Sequence, residues 1–286
     1  MPEAPYQAAT VREGRPLPDR PRVEAAPSVS CQRQHLQLLA CLLCAPFALP
    51  HLCSATILVI GIMPGRVIIA ADSRVAAPWG IEDTECKIAA LDPHTLYAAS
   101  GITGMESYPF SLYPFLWFAR REAIQEFENL GDGNLRQLAE AWAVSAEEHF
   151  SAMRLRDWSF GMRAVSDHLT ITSGHFARAN QDGVEFLSVY IQCLDYPACV
   201  AVTHTIAERR VPGILLDGDH GAMAFISQFL NARIRPDDAY ALGYLIAAAV
   251  RTRRFPDIGE PIDIAEVSAD QGVHWYLRKR NCPALQ

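Results

Sequence analysis

The chain has 286 residues, 50% of them hydrophobic, which is enough apolar material for the packed core of one large domain or two small ones. This composition excludes a chain that is disordered throughout. The formal net charge of -7 argues against a nucleic-acid-binding face or a polybasic membrane surface, because either would need clustered Lys and Arg.

Residues 1–55 are predicted to form a leader rather than part of the folded domain. Residues 1–30 are rich in Pro, Arg and Glu and have no apolar period, which is typical of disorder or of translation from a start codon placed too far upstream. An apolar run follows from Leu38 to Leu49, then Pro50, then the small residues Cys53-Ser54-Ala55. A hydrophobic core, a helix breaker and small residues in this order are typical of a secretory signal peptide.

The apolar run favours a cleavable signal over three alternatives. Its 12 residues are fewer than the roughly 20 that a membrane-spanning helix needs, which disfavours a retained anchor. It has no polar face, which disfavours a buried helix, and His51 and Leu52 are too large for a lipoprotein site at Cys53. Cleavage after Ala55 would leave Thr56 as the first residue of a secreted or periplasmic protein without a stable membrane span. A mis-assigned start codon would leave a cytoplasmic protein instead.

Two strand pairs are predicted after the leader. The runs Thr56–Met63 and Arg66–Asp72 are apolar and rich in β-branched residues, and Pro64-Gly65 between them favours a tight turn. The runs Cys86–Leu91 and Thr95–Gly101 flank a short segment with Asp and Pro, which favours a second turn. Both pairs are therefore expected to be antiparallel hairpins.

Helical spacing of apolar residues replaces the strand pattern over Pro114–Asn129 and over Leu135–Met153. A third helix is predicted from about Gly221 to Ile234. Asp237-Asp238 is expected to open a fourth helix, which runs to about Arg253, because acidic residues suit the positive end of the helix dipole.

Strand-like runs return at residues 168–176, 183–192 and 199–206, and two more close the chain at 262–267 and 272–277. Strand pairs, two helices, strands, two helices and final strands follow one another along the chain. This order predicts an α+β fold in which helices pack outside two stacked antiparallel sheets.

Thr56, Asp72 and Lys87 form a candidate catalytic group. A threonine at a chain terminus has its own α-amino group, with a pKa of about 7.7–8.0, available as the base for its hydroxyl. A nearby carboxylate and ammonium would tune both groups by charge. Lys87 is one of only two lysines in the chain. Arginine could not readily replace it, because the guanidinium pKa is too high to shift and its head is a broad fork.

Two segments resemble the opening of proteasome β subunits and their bacterial HslV-type relatives. They are TILVIGIMPGRVIIAADSR, from Thr56 to Arg74, and CKIAALDPHTLYAASGITG, from Cys86 to Gly104. Asp72 matches the family's acid without a gap, and Lys87 matches its lysine when the intervening loop is shortened by one residue. Gly101 falls on the glycine whose backbone N–H forms the oxyanion hole.

The resemblance implies one domain over residues 56–286, with matching segments up to about residue 277. Its fold would be the N-terminal-nucleophile hydrolase fold, a four-layer αββα sandwich of two stacked antiparallel sheets flanked by helices. Its activity would be that of a threonine-type peptidase with Thr56 as nucleophile, without metal or cofactor. A peptide or unfolded polypeptide is the implied substrate, and a homo-oligomer is an expectation because family members usually assemble into rings.

The resemblance also implies roles for residues around the nucleophile. A Gly-Ser-Gly segment of the family matches LLDGDHG, where Asp217 or Asp219 stands in place of the serine that supports the amine. Arg74 is expected to be a structural partner of Asp72 or of nearby carbonyls. An acid in the primary specificity pocket would favour a basic substrate side chain. The positions that match this pocket are Val75, Glu85, Ala99 and Thr103.

Each proposed role has a structural alternative. Thr56 could simply begin a strand, Asp72 could cap a turn, Lys87 could form a surface ion pair, and Gly101 could mark a bulge. Two other functions therefore stay open. One is a catalytically inactive proteasome-like scaffold or binding protein whose leader is never removed, and the other is an acylase or amidase that acts on non-peptide amides.

Cys193 and Cys199 are close enough in sequence to bridge in an oxidising compartment, or they form a free buried pair. No pairing is predicted for Cys86 and Cys282.

Overall fold

The computed structural model describes most of the chain that follows residue 50. The greater part of the predicted leader, including the apolar run 38–49 and Ala55, lies outside the described residues, and so does Glu85. The described residues are 51–54, 56–77, 80–82, 86–106, 116–131, 133–156, 170–194, 199–230, 234–255, 258–280 and 282.

A five-stranded antiparallel sheet, here the small sheet, begins directly after Thr56. Its apolar, β-branched residues form the first predicted hairpin, in which β2 (Ile57–Met63) pairs with β3 (Arg66–Ala71). The other strands are β12 (Gly213–Gly218), β13 (Asp263–Ser268) and β14 (Gly272–Leu277). The order across the sheet is β12-β2-β3-β13-β14, so both chain-closing strands lie beside the first hairpin.

A second antiparallel sheet, here the large sheet, is built around the long strand β7 (Thr95–Glu106). This strand forms the second predicted hairpin with β6 (Ile88–Asp92) and also pairs with β9 (Thr170–Asn180). The remaining strands are β1 (His51–Ser54), β4 (Val75–Ala77), β5 (Gly80–Glu82), β8 (Leu116–Phe118), β10 (Gly183–Leu194) and β11 (Ala201–Glu208). Apart from β6 and β8, which pair with β7, the order is β11-β10-β9-β7-β1-β4-β5.

Strand β1 belongs to a part of the chain for which the sequence predicts no domain structure. It pairs antiparallel with β7, from His51 opposite Glu106 to Ser54 opposite Ile102. Ser54 also lies opposite Ala76 of β4. An extended segment that ends two residues before the candidate nucleophile therefore lies between β4 and β7.

Four helices lie within the described residues. They are α1 (Ala119–Leu130), α2 (Leu135–Arg156), α3 (His220–Ser227) and α4 (Ala239–Arg251). The two later helices begin with aspartate N-caps, because the Asp219 side chain accepts a hydrogen bond from the Ala222 N–H and Asp238 accepts one from the Ala241 N–H. The predicted start of the fourth helix at Asp237-Asp238 is thereby confirmed.

Two predicted helices have the wrong bounds. Leu116–Phe118, predicted as helix, form β8 because their backbone pairs with Gly104–Glu106 of β7, and α1 begins only at Ala119. Helix α3, predicted to continue to Ile234, ends at Ser227. The next N–H groups bond carbonyls three residues back, which tightens the backbone into turns. These are the N–H groups of Gln228, Phe229 and Leu230.

Three clusters of buried apolar side chains hold the elements together. The first joins the large sheet to α1 and α2 and includes Trp142. The second contains residues of both sheets, such as Leu58 and Phe186. The third joins the small sheet to α3 and α4 and includes Ile68 and Leu242. The fold is thus α+β, with two antiparallel sheets that each bury apolar side chains on both faces.

Within the described ranges, no helix has both the length and the apolar character needed to cross a membrane.

Candidate functional site

Thr56 lies immediately before β2 and is fully buried. Its carbonyl oxygen accepts a hydrogen bond of 2.8 Å from the N–H of Asp219. The backbone at the end of β12 comes so close that a Cβ on Gly218 would lie 1.9 Å from the same oxygen. Gly218 also has a φ of +119°, which L side chains rarely adopt. Only glycine permits this contact, which fixes the Thr56 backbone against β12.

The Asp72 carboxylate, just after β3, connects Lys87 to the start of β2. Its Oδ1 accepts hydrogen bonds from the Ile57 N–H and from the Lys87 ammonium, each at 2.9 Å. Its Oδ2 accepts bonds of 3.1 Å from the N–H groups of Arg74 and Gly259. The structure therefore brings the predicted acid and lysine together beside the residue that follows Thr56.

The ion pair between Asp72 and Lys87 is completely buried, with 0% exposure of both side chains. Burying two charges is costly unless each has a partner and further hydrogen bonds. Here the Lys87 ammonium also donates to the carbonyl oxygen of Arg74. The alternative of a surface ion pair for Lys87 is thereby excluded. Arg74, predicted as a structural partner of Asp72 or of nearby carbonyls, contacts Asp72 through its backbone N–H.

Gly101 lies in β7 and has a φ of +77°, in the left-handed region that favours glycine. A Cβ at this position would lie 2.6 Å from the carbonyl oxygen of Ile171 in β9. The backbone of β7 is therefore irregular at the predicted oxyanion position, and no other residue type fits there.

Two hydrogen bonds of neighbouring residues define the direction of the Gly101 N–H. The Ala99 N–H donates to the Lys87 carbonyl at 3.3 Å, on the edge of β7 where β6 lies. The Ser100 carbonyl accepts a bond of 2.9 Å from the hydroxyl of Thr172, which belongs to β9. In the trans peptide between Ser100 and Gly101 the C=O and N–H bonds point in opposite directions. The Gly101 N–H therefore points away from Thr172, to the edge on which Lys87 lies.

Asp217 is the centre of a largely buried polar cluster between the two sheets. Its Oδ2 accepts hydrogen bonds from His175 Nε2 at 2.7 Å, from the Ser100 hydroxyl at 2.7 Å and from the Ser173 hydroxyl. Burial opposes the charged form, but the hydrogen bond and charge of His175, together with the two serine hydroxyls, hold the pKa of the Asp217 carboxyl below its ordinary value. Because an ionised carboxylate only accepts, Nε2 of His175 carries a proton.

The two acidic candidates for the serine position have different surroundings. Asp219 uses its side chain as the N-cap of α3 and its backbone N–H to bond Thr56. Asp217 lies opposite Leu58 in the ladder between β12 and β2, and its side chain reaches the large sheet. The cap and the cluster are thus neighbouring features of one turn that adjoins Thr56.

The residues predicted to line a specificity pocket are only partly described. Ala99 packs in the cluster that joins the large sheet to α1 and α2. Thr103 is buried, and its hydroxyl has no hydrogen-bond partner among the described residues. The backbone of Val75 belongs to β4, beside β1, while Glu85 lies outside the described residues. Of the four predicted pocket residues, only Ala99 and Thr103 have described side chains.

Sequence reasoning misses Ser100, Ser173 and His175, which contact Asp217. A signal for two of them exists in β9, because Ser173 and His175 are alternate residues of a buried strand and share one face. Buried polar side chains need hydrogen-bond partners. The position of the partner, Asp217, depends on how the two sheets stack, and no local pattern contains that information.

Two disulfides lie within the described residues. Cys193 pairs with Cys199, which is one of the two alternatives predicted from the sequence. Cys86 pairs with Cys282, across a sequence separation of 196 residues. The residue before Lys87 is therefore linked covalently to the segment that follows β14.

Within the described part of the chain, no group of three or more His, Cys, Asp and Glu side chains is arranged to hold a metal ion. A comparison of the chain with protein-family models and with curated proteins finds no match.

Proposed function

We propose that the chain is a threonine-type amide hydrolase in which Thr56 becomes the nucleophile once the leader is removed. The observation that carries the proposal is the Asp72 carboxylate, whose Oδ1 binds both the Lys87 ammonium and the N–H of Ile57. A buried carboxylate and a buried ammonium thus adjoin the residue that follows the proposed nucleophile. Such charges tune the hydroxyl and the α-amino group of a terminal threonine.

The proposed fold is the four-layer αββα sandwich of N-terminal-nucleophile hydrolases. In it, α1 and α2 cover the large sheet, and α3 and α4 cover the small sheet. The three separate apolar clusters support this arrangement, because four layers have three interfaces to fill.

In the proposed reaction the Thr56 hydroxyl passes its proton to its own α-amino group as the oxygen attacks the amide carbon. The carbonyl electron pair moves onto oxygen, and the Gly101 N–H donates to the resulting oxyanion. The C–N bond then breaks, the ammonium returns the proton to the leaving nitrogen, and an ester to Thr56 remains. Water attacks this ester, with the amine again as base, and releases the acid. The Lys87 charge favours the ionised hydroxyl and the neutral amine.

Extended peptides are the proposed substrate class. Strand β1 supports this, because a peptide segment with its backbone paired to β4 and β7 ends next to Ala55 and Thr56. Strand addition of this kind gives affinity through main-chain hydrogen bonds and leaves specificity to side-chain pockets. A substrate that takes the place of β1 would lie along the same edge of β7.

We further propose that the protein is secreted or periplasmic. The pairs Cys86–Cys282 and Cys193–Cys199 support an oxidising compartment, because disulfides persist there and are rare in reducing cytosol.

The test uses protein that is folded as the full chain, with a specific protease site placed before Thr56, and then cleaved so that Thr56 is the first residue. We expect it to hydrolyse members of a panel of fluorogenic peptides and acyl amides. Thr56→Ala should abolish turnover, while Thr56→Ser should retain part of it because a hydroxyl and an amine remain. Equal turnover by Thr56→Ala and the parent protein would overturn the proposal. Hydrolysis of acyl amides but not peptides would identify an acylase.

A catalytically inactive scaffold is a second candidate, and one observation favours it. In the full chain β1 is already paired in the large sheet, and the nitrogen of Thr56 belongs to a peptide bond. If the leader stays attached, no free amine exists. Sequencing the N-terminus of the protein produced in its native compartment separates the two candidates, since Thr56 first supports the hydrolase and an intact leader supports the scaffold.

A further inference from the structure

The peptide unit between Ser100 and Gly101 is held from two directions by largely buried side chains. Its carbonyl oxygen accepts the 2.9 Å hydrogen bond from the Thr172 hydroxyl. The Ser100 hydroxyl lies 2.7 Å from Asp217 Oδ2 and 2.8 Å from the Ser173 hydroxyl. Ser100, Thr172 and Ser173 are at most 1% exposed and the Asp217 side chain is 16% exposed, so solvent has little access to these contacts.

Because this peptide unit is planar, the contacts that fix its carbonyl also fix the direction of the Gly101 N–H. In a trans peptide the C=O and N–H bonds lie in one plane and point in opposite directions. A carbonyl fixed on Thr172 therefore fixes the direction of the N–H on the other side. Glycine itself has an unusually free backbone, so an oxyanion donor at Gly101 depends on its neighbours for orientation.

We propose that Thr172 and Asp217 are positioning residues that hold the Gly101 N–H in the direction required of an oxyanion donor. The proposal rests on the proposed hydrolase function. Asp217 is itself anchored, because His175 Nε2 bonds its Oδ2 and His175 Nδ1 lies 3.0 Å from the Ser188 hydroxyl.

The position of Asp217 in the fold explains why an anchor at this residue is useful. Asp217 belongs to β12, the strand whose end contacts the Thr56 carbonyl, whereas Ser100 belongs to β7 in the other sheet. A hydrogen bond between them links the strand beside the nucleophile to the strand that carries the oxyanion donor. The cluster thereby sets the relative position of two groups that must meet one substrate carbonyl.

The test compares Thr172→Val, which removes the hydroxyl but keeps the shape, with Thr172→Ser, which keeps the hydroxyl. Loss of a whole oxyanion donor lowers kcat by about 100- to 1000-fold. We therefore expect a misdirected donor to lower kcat by at least about tenfold, with KM within about twofold. Thr172→Ser should restore kcat to within about twofold of the parent protein.

Thr95→Val is the matched control. Thr95 is the first residue of β7 and is fully buried, and its hydroxyl accepts a 2.9 Å hydrogen bond from Arg178 Nε. Thr95→Val should lower the thermal midpoint about as much as Thr172→Val does and leave kcat unchanged. Ser100→Ala serves as a second variant if Thr172→Val does not fold, and it should lower kcat in the same way. Parent-level kcat in the folded variants would overturn the inference.

A second measurement keeps the inference testable if the parent protein turns over no substrate, in which case the hydrolase function itself fails. The amide resonance of Gly101 is then followed by NMR in the full chain. Thr172→Val should shift this resonance and Thr95→Val should leave it unchanged. An unshifted Gly101 resonance in Thr172→Val would overturn the positioning role independently of activity.

Discussion

The Asp72 carboxylate accepts four hydrogen bonds, two on each oxygen, and three of the donors are backbone N–H groups. Backbone donors are held by the surrounding fold, so they do not turn away when a partner is removed. The remaining donor is the Lys87 ammonium, which has no exposed surface. Removal of Asp72 therefore leaves the Lys87 charge in the interior without its counter-ion, whereas removal of Lys87 leaves Asp72 with its three backbone donors.

Asp72→Asn is expected to lower the free energy of unfolding by about 3–5 kcal/mol, because it leaves the Lys87 charge buried without its counter-ion. The double variant Asp72→Asn with Lys87→Met should lose less than the sum of the two single variants. Denaturant unfolding of the four proteins measures this coupling.

The control for this cycle is Glu208→Gln, which removes the partner of the exposed Arg210 in a surface ion pair. Exposed pairs contribute little because water and salt screen them. We expect no measurable change in stability for this variant. Additive effects of Asp72→Asn and Lys87→Met would contradict energetic coupling within the ion pair.

Asp217 is expected to make stability fall in acid. Its pKa is lowered in the fold, so its contribution is fully present above the unfolded pKa of about 3.9 and is lost as pH falls through the lower folded pKa. The stability advantage of the parent protein over Asp217→Asn should therefore be constant from neutral pH down to about pH 4 and shrink below it. Urea unfolding of both proteins across this range measures the difference. An advantage that is constant throughout, or that grows in acid, would contradict the lowered pKa.

At the scale of elements, strands and helices with strong local patterns could be predicted. The hairpin of β2 and β3 was predictable because apolar runs flank a Pro-Gly turn, and the start of α4 because Asp238 is a favourable N-cap. Strand β8 was not predictable, because the apolar residues of this segment recur at helical spacing while its backbone pairs with β7. Strand β1 was not predictable either, because the extended backbone of His51–Ser54 pairs with β4 and β7, which are distant from it in sequence.

Removal of the leader is expected to expose the edge of β7 that β1 covers. Amide hydrogens over Ile102–Glu106 should then exchange faster with solvent, because part of this segment loses its backbone partner. A synthetic peptide with the sequence of residues 51–55 should restore part of the protection. Exchange measured by mass spectrometry before and after cleavage tests this, with β9 as the internal control. Unchanged exchange over Ile102–Glu106 would contradict the pairing of β1.

At the scale of the whole molecule, contacts within the candidate site were predictable only where both residues belong to one hairpin. Thr56 and Asp72 belong to one hairpin, so their approach followed from the turn between them. The contact of Asp217 with Ser100 joins two sheets, and the pair Cys86–Cys282 joins distant parts of the chain. Such contacts depend on the stacking of complete sheets, and the local sequence around each residue does not specify it.

The two disulfides are expected to contribute unequally to stability. Cys86 and Cys282 are separated by 196 residues, whereas Cys193 and Cys199 are separated by 6. By loop-closure entropy, Cys282→Ser should lower the free energy of unfolding by about 5 kcal/mol and Cys199→Ser by about 2 kcal/mol. Calorimetry of both variants, each under oxidising and under reducing conditions, measures the two losses in the free energy of unfolding. A larger loss in Cys199→Ser would contradict the entropic account.

The close approach of Gly218 to the Thr56 carbonyl has a consequence for how this protein tolerates genetic change. In a library that randomises position 218, every variant with a side chain would push the Thr56 carbonyl away, so a screen for folded protein alone should return glycine. Position 56 should behave in the opposite manner, since it should accept several residues under that screen and only hydroxyl residues under selection for turnover. The two positions touch, yet the fold constrains position 218, whereas only the proposed reaction would constrain position 56.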